Sequence, residues 1–351
     1  MPLWKAIGVR AIAFTIALII CGFIIYAIVK LNPLKVYGAM VNGAFGTNNR
    51  MWATIRDTMM LLCIAVGLAP AFRMRFWNVG AEGQILAGGI TSAACMIYLG
   101  NSMPTGLLLI VMFLSSVLAG ALWGIIPGIF KAKWKTNETL FTLMMNYIAI
   151  QFTSFFVSLW ENPYGSNSVG IINPNTNAGW LPSVFGEAYT LNVVLVMLLT
   201  AGMYMYLRYS KQGYEIAVVG KSENTARYAA INVGKVIVRT TAISGAVCGV
   251  AGFLAVSGAS HTISTSTAGG RGFIAIIVAW LAKFNTFIMI LISALIVFLE
   301  KGAIEIASRY NLSDYVSSMI TGIILFFILG SEFFINYQVK FHKADRKEDA
   351  E

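Results

Sequence analysis

The stretch from Arg208 to Arg239 reads RYSKQGYEIAVVGKSENTARYAAINVGKVIVR, and it is the one long polar segment in the middle of an otherwise apolar chain. It lies between two segments that are apolar enough to cross a bilayer, and it carries six of the 25 Lys and Arg residues. Because basic loops are retained on the cytoplasmic side of a membrane, this loop, residues 208–239, is predicted to face the cytosol.

Within the loop, Ser222 is a good helix N-cap and Gly234 a good helix stop. A helix of about three turns is therefore predicted from Ser222 to Gly234. Its small side chains recur at helical spacing, at Ala226, Ala229, Ala230 and Val233. Such a face suits close docking against another protein surface. The alternative interpretation is an ordinary solvated loop helix.

The same loop contains part of a phosphate-binding motif, because Gly220, Lys221 and Ser222 match its last three positions. The full motif also needs a glycine five residues before Gly220. That position is Glu215, whose carboxylate would repel phosphate. Nucleotide binding by this chain is therefore not expected.

Composition indicates a membrane protein. The 351 residues are 58% hydrophobic and only 11% charged, whereas soluble domains are near 25% charged. The net charge of +10 comes from basic residues scattered among apolar segments, so orientation in the membrane explains it better than nucleic-acid binding. The four cysteines and two histidines have no metal-ligand spacing, and no metal site is expected.

Hydropathy predicts an all-α polytopic membrane protein with about ten transmembrane helices and both termini in the cytosol. The whole chain, 1–351, is predicted to be one transmembrane domain with a charged cytosolic tail at 338–351. Phe273–Ala282 is short enough to be a half-helix or a re-entrant segment. The predicted spans are Ala11–Val29, Thr58–Phe72, Gly83–Leu99, Gly106–Phe130, Thr139–Trp160, Thr190–Leu207, Val236–Ser257, Phe273–Ala282, Thr286–Leu299 and Tyr315–Tyr337.

Polar residues inside predicted spans are candidates for a translocation path or gate. Asn78, Glu82 and Gln84 stand at the start of the third span, where Glu82 has either a structural ion pair with Arg73 or Arg75 or a place on the path.

In the fifth span, Asn146 and Tyr147 either bond to neighbouring helices or line the path. Gly270 and Gly272 precede the short eighth span. Its N-terminal amides could face a substrate, unless this segment is simply a flexible outer loop.

Glycines recur every fourth residue in two of the predicted spans. Gly120, Gly124 and Gly128 lie in the fourth span, and Gly245 and Gly249 lie in the seventh. Small residues at this spacing let membrane helices approach closely, so these two spans are predicted to take part in tight helix packing.

Four ordered stretches resemble ABC-importer permeases of the nucleoside and simple-sugar class. They read RFWNVGAEGQILAGG (75–89), NETLFTLMMNYIA (137–149), VVGKSENTARYAAINVGKVIV (218–238) and GGRGFIAIIVAWLAKFN (269–285). The resemblance runs from about residue 50 to 335. Trp77, Trp280 and Lys283 depart from the residues that are usual at their positions, which leaves the substrate open.

The resemblance implies a type II importer-like permease in the plasma membrane, which pairs with a second, related permease subunit. It also implies a cytosolic ATPase with two nucleotide sites and an extracellular substrate-binding lipoprotein. ATP and Mg²⁺ would then be bound by the ATPase, and no cofactor or catalytic residue is expected on this chain. Residues 208–239 would form the coupling loop, and Ser222–Gly234 the coupling helix. Its contact residues would be Ser222, Asn224, Ala226, Arg227, Ala229, Ala230, Asn232 and Gly234.

Nucleosides are the expected cargo, and a simple sugar or another small polar solute is the alternative. An ion-coupled secondary transporter is a competing class, and it would need carboxylates in the membrane. Glu82, Glu300 and Glu305 are the only candidates, and all lie near the ends of predicted spans.

Overall fold

The computed structural model describes residues 32–311 except residue 185, together with scattered positions in 8–30 and 313–330. These residues form an all-α protein with eleven α-helices. The helices are α1 (Pro33–Phe45), α2 (Asn48–Arg73), α3 (Ala81–Leu99), α4 (Thr105–Trp134), α5 (Glu138–Leu159), α6 (Thr190–Tyr209), α7 (Lys211–Lys221), α8 (Glu223–Tyr228), α9 (Val233–Ala255), α10 (Arg271–Leu281) and α11 (Thr286–Arg309). A π-helical turn, Val256–Ser260, extends α9.

A helix covers each predicted span between residues 58 and 299. In the described part of the chain, six helices are long and apolar enough to cross a membrane: α2, α4, α5, α6, α9 with its π-helical turn, and α11. The first and last predicted spans, Ala11–Val29 and Tyr315–Tyr337, lie outside the described residues apart from scattered positions, as does the tail 338–351.

The helix α10 is the half-helix that its short sequence predicts. Its 11 residues span about 16 Å at 1.5 Å per residue, about half of the roughly 30 Å hydrocarbon layer. It is followed by a turn in which Lys283 and Phe284 have positive φ angles of 49° and 61°. The chain then continues into α11.

The chain divides into two compact units, Met1–Arg50 with Phe298–Glu351, and Met51–Val297. In the first unit, the C-terminal part of α11 packs on α1. The rings of Phe45 and Phe298 stack with centroids 5.9 Å apart. Arg50 forms a 3.0 Å ion pair with Glu305, so this carboxylate already has a cation partner.

In the second unit, α2 and α9 are central. Of the most apolar stretch of each helix, 83% and 78% of the residues are buried, compared with 22% in α4. The helix α3 is also largely buried, although its polar residues and glycines keep it out of the apolar group. Thus α4, α5 and α6 have broad outer faces, while α2, α3 and α9 form the interior.

The predicted glycine packing is present where α9 crosses α4 and α3. A Cβ atom on Gly249 would overlap the carbonyl oxygen of Ser116, and one on Gly120 would overlap that of Gly245. On α3, a Cβ atom on Gly88 would overlap Gly249. The backbones of the three helices therefore touch, as small residues at this spacing allow.

The predicted helix Ser222–Gly234 is wrong in its extent. Ser222 is the N-cap, since its hydroxyl accepts a 3.3 Å hydrogen bond from the Thr225 amide, but α8 ends at Tyr228. Ala230 has a positive φ of 56°. Asn232 then caps a new helix by accepting from the Lys235 amide at 3.0 Å, because Asn is as strong an N-cap as Ser. Gly234 consequently lies inside α9.

The predicted face of small side chains is divided by the same break. Ala226 is completely buried against the protein, whereas Ala229 and Ala230 are exposed in the turn that follows α8. The outward surface of this region therefore consists of the polar residues of α8, Tyr228 and the two alanines of the turn.

We expect Gly249→Ala to destabilise the protein by about 1–3 kcal/mol, because the added methyl group would force α9 away from α4. Gly202→Ala is the matched control: this glycine is in α6 with nothing within 4 Å of its Cβ position. The control should be neutral or stabilising by about 0.5–1 kcal/mol. Thermal unfolding in detergent measures both. Equal unfolding temperatures for the two variants would contradict the close crossing.

Candidate functional site

A buried loop connects α2 to α3 and turns back into the protein. Met74, Phe76 and Asn78 are each less than 5% exposed. Asn78 fixes the turn, because its Oδ1 accepts from the Gly80 amide at 3.0 Å and its Nδ2 donates to the Ser244 hydroxyl on α9 at 3.1 Å. The amides of Asn78 and Gln84 also bond to each other at 3.4 Å. We call residues 74–80 the re-entrant loop.

Asn146 on α5 holds the other side of this loop. Its Oδ1 accepts from the Gly83 amide at 2.8 Å, and its Nδ2 donates to the Val79 carbonyl at 2.9 Å. Asn146 therefore bonds a neighbouring element, which favours the packing interpretation over the path. Tyr147 does not join the site, since its side chain is exposed on the outer face of α5.

Glu82 joins the first residues of α3 to the N-terminus of α10. Its Oε1 accepts a 2.6 Å hydrogen bond from the Gly272 amide, and the side chain is buried. Gly270, with a φ of 75°, makes the turn that brings this helix end to the carboxylate. The unpaired amides and the positive end of the helix dipole both favour a negative charge there.

The predicted ion pair of Glu82 with Arg73 or Arg75 is wrong. Arg73 donates instead to the Leu207 carbonyl at 3.3 Å, and Arg75 is exposed. The physical reason is that the re-entrant loop separates the end of α2 from the start of α3. The Gly272 amide, which was itself a candidate for substrate binding, is the partner that Glu82 has found.

A second buried carboxylate, Asp57 on α2, was not singled out from the sequence. Its Oδ1 lies 2.9 Å from Nε of Arg56 and 3.6 Å from Nη2 of Arg271, the first residue of α10. Arg56 also donates to the Tyr189 hydroxyl at 3.3 Å. The adjacent Arg56 and Asp57, directly before a predicted span, were the available signal. Buried charges need such pairing, so Asp57 and Glu82 together hold the start of α10.

Two of the residues that depart from the family pattern meet in an aromatic cluster. Trp77 of the re-entrant loop and Trp280 of α10 stack with ring centroids 5.2 Å apart and an interplanar angle of 23°. Phe72 and Phe284 pack edge-on against Trp77 and Trp280, respectively. Trp77 is 43% exposed and Trp280 is 45% exposed, so indole surface remains available to a flat solute.

At the other end of the second unit, the loop between α5 and α6 is tied to the π-helical turn. The Ser257 hydroxyl donates to the Gly179 carbonyl, and the rings of Trp180 and His261 stack with centroids 3.8 Å apart. Burial lowers the pKa of His261 below its ordinary value, while a backbone hydrogen bond to Ser257 acts in the opposite direction. The imidazole is therefore neutral near pH 7 and suited to this stack.

A polytopic helical protein with a buried re-entrant loop and a half-helix belongs to the class of membrane transport proteins, in which broken helices are stabilised only where protein covers them. The family described as branched-chain amino acid transport system / permease component matches residues 50–329. The chain belongs to this permease family, so it is a transport component rather than an enzyme.

Curated relatives share this family and have different cargoes in their names. The guanosine ABC transporter permease protein NupP of Bacillus subtilis is 29% identical, over 88% of this chain and 89% of its own length. The nucleoside ABC transporter permease protein NupB of Lactococcus lactis is 26% identical, over 97% and 96%. The glucose ABC transporter permease protein TsgB13 of Haloferax volcanii is 24% identical, over 100% and 94%. No solved structure gives a significant match.

We expect Glu82→Ala to destabilise the protein by about 1–3 kcal/mol, because it leaves the buried Gly272 amide without an acceptor. Glu82→Gln should lose less, since the amide oxygen can still accept. Glu223→Ala is the control, because the ion pair of Glu223 with Arg227 is 3.9 Å long and exposed. Thermal unfolding of the purified variants measures the order. A Glu82→Ala protein as stable as the control would contradict the role of this contact.

Proposed function

We propose that this chain is one permease subunit of an ATP-driven importer that moves nucleosides into the cell. The observation that carries the choice of cargo is the half-exposed stack of Trp77 on Trp280. Base–aromatic stacking contributes about 1–3 kcal/mol per base, so two indoles at the junction of the re-entrant loop and α10 suit a nucleobase. The names of two relatives, which specify guanosine and nucleoside, support the same choice. Glucose is the second candidate because of the third relative.

In the proposed topology, about ten helices cross the plasma membrane and both termini are cytosolic. The clustering of charged residues supports it. Arg73, Arg208 and Lys283, which are all predicted to be cytosolic, line one cavity. Arg56 and Arg271, both predicted to be external, share Asp57.

The proposed contact with the ATPase is α8 with the turn that follows it. Tyr228 is 94% exposed, and Asn224, Arg227, Ala229 and Ala230 are also exposed. Of the predicted contact residues, buried Ala226 instead anchors α8, while Ser222 and Asn232 cap helices on either side. Gly234, within α9, lies behind this surface.

A direct mechanical connection leads from α8 to the re-entrant loop. The helix α7 precedes α8, and a Cβ atom on its Gly220 would overlap the carbonyl oxygen of Arg73. Glu215 of α7 also forms a 2.8 Å ion pair with Arg239 of α9. Because Arg73 leads directly into the re-entrant loop, a push on α8 would be transmitted to Trp77. Two-state movements of this kind underlie alternating access.

The remaining partners follow from membership of this permease family. We propose a second, related permease subunit, a cytosolic ATPase with two nucleotide sites that binds ATP and Mg²⁺, and an external substrate-binding lipoprotein. No cofactor or metal is proposed on this chain. Ion-coupled transport is less well supported, since Glu82 and Asp57 are bonded to α10 and Glu305 to Arg50.

Ala229→Glu and Tyr228→Ala should each reduce association with the ATPase at least tenfold, because they alter the exposed surface of the α8 region without touching its buried side. Tyr164→Ala is the matched control, since Tyr164 is 96% exposed in the loop between α5 and α6. Co-purification of the ATPase with the membrane-inserted variants measures the effect. Unchanged co-purification of both variants would exclude this surface.

Trp280→Ala should raise the half-saturating nucleoside concentration about tenfold, which corresponds to 1.4 kcal/mol of lost stacking. Trp280→Phe should retain most of the affinity, and Trp134→Ala at an exposed position of α4 is the control. Uptake of labelled guanosine by cells with the complete transporter, with unlabelled uridine or glucose as competitor, measures it. Competition by glucose alone would assign the chain to sugar transport.

A further inference from the structure

A cavity of about 390 Å³ lies where the ends of α2 and α6 meet the turn before α11. Three of its lining residues are cations, and none of the described residues that line it is acidic. Its polar lining residues are Arg73, Tyr204, Arg208, Lys283, Asn285 and Thr286. This charge distribution indicates an anion as the occupant.

Two of the cations are held in place by their neighbours. Arg208 donates to the Tyr204 hydroxyl at 2.6 Å, and its guanidinium lies 5.6 Å from the centroid of the same ring. Arg73 donates to the Leu207 carbonyl. Each bond uses one of the five N–H donors of a guanidinium, so both arginines keep donors for a ligand.

Thr286 provides an independent sign of a ligand. It is only 3% exposed, and its buried hydroxyl has no hydrogen-bond partner among the residues that the structure describes. Buried hydroxyl groups are nearly always bonded. Thr286 is also the first residue of the 24-residue helix α11, so the positive end of that helix dipole faces the same cavity.

We propose that this cavity binds a phosphate group, with Arg73, Arg208 and Lys283 neutralising its charge and Thr286 donating a hydrogen bond. Lys283 is one of the residues that depart from the family pattern, so the site would be particular to this protein and its near relatives. The phosphate chemistry does not depend on the cargo of the transporter.

The phosphate can come from an anionic phospholipid or from a soluble phosphate. The surroundings suit a lipid, because Tyr209, Phe287 and Leu291 expose large apolar side chains nearby on α6 and α11. Basic pockets of this kind on the cytosolic side of a membrane bind anionic headgroups.

The test uses the full chain in nanodiscs that contain equal amounts of phosphatidylglycerol and phosphatidylcholine. Native mass spectrometry of the released protein should find phosphatidylglycerol retained at least tenfold more by the wild type than by Thr286→Val or Lys283→Gln. Lys235→Gln, at an exposed position of α9, should behave like the wild type.

A second arm titrates the delipidated protein with inorganic phosphate against chloride at equal ionic strength. A rise in unfolding temperature that is saturable and absent from both variants would also support the site, with a soluble phosphate as its occupant. The wild-type titrations decide the matter even if a variant fails to fold. Wild-type protein without saturable binding of either probe, or folded variants that bind like the wild type, would overturn the proposal.

Discussion

The carboxylate of Glu82 on the N-terminus of α10 is the interaction on which the rest of the second unit depends. A helix that begins inside a membrane protein exposes amides that no water can satisfy, and each costs several kcal/mol if left unpaired. The 2.6 Å bond from the Gly272 amide to Glu82 and the ion pair of Arg271 with Asp57 solve this problem at one place. The half-helix is thereby joined to both α2 and α3.

The re-entrant loop and the glycine crossings make this region a single block. Asn78 and Asn146 satisfy the backbone of the loop from α9 and α5, while Gly249 brings α9 against α4. Interiors packed in this way shift between discrete arrangements rather than deform gradually. The indoles of Trp77 and Trp280 lie at the edge of the block, beside the end of α2 that α7 touches through Gly220. A displacement of α8 would therefore act on the aromatic pair.

Hydropathy and glycine spacing predicted the elements well, because helix burial in a membrane and close backbone approach depend on local composition. The eight predicted spans between residues 58 and 299 are helical, and the crossing of α4 with α9 is present. The extent of the α8 region was wrong, since two strong N-caps, Ser222 and Asn232, compete within one polar loop. Pairings between distant residues, such as Asp57 with Arg271 or Trp77 with Trp280, leave no local pattern and require the fold.

Coupling to a cytosolic ATPase requires that α8 face the cytosol and that residues 161–189 face outward. Single Tyr164→Cys and Tyr228→Cys variants, in a chain whose four cysteines are replaced, can be labelled in cells with a membrane-impermeant maleimide. We expect Tyr164→Cys to be labelled in intact cells, and Tyr228→Cys only after the membrane is permeabilised. Labelling of Tyr228→Cys in intact cells, with Tyr164→Cys protected, would contradict the orientation and the coupling that depends on it.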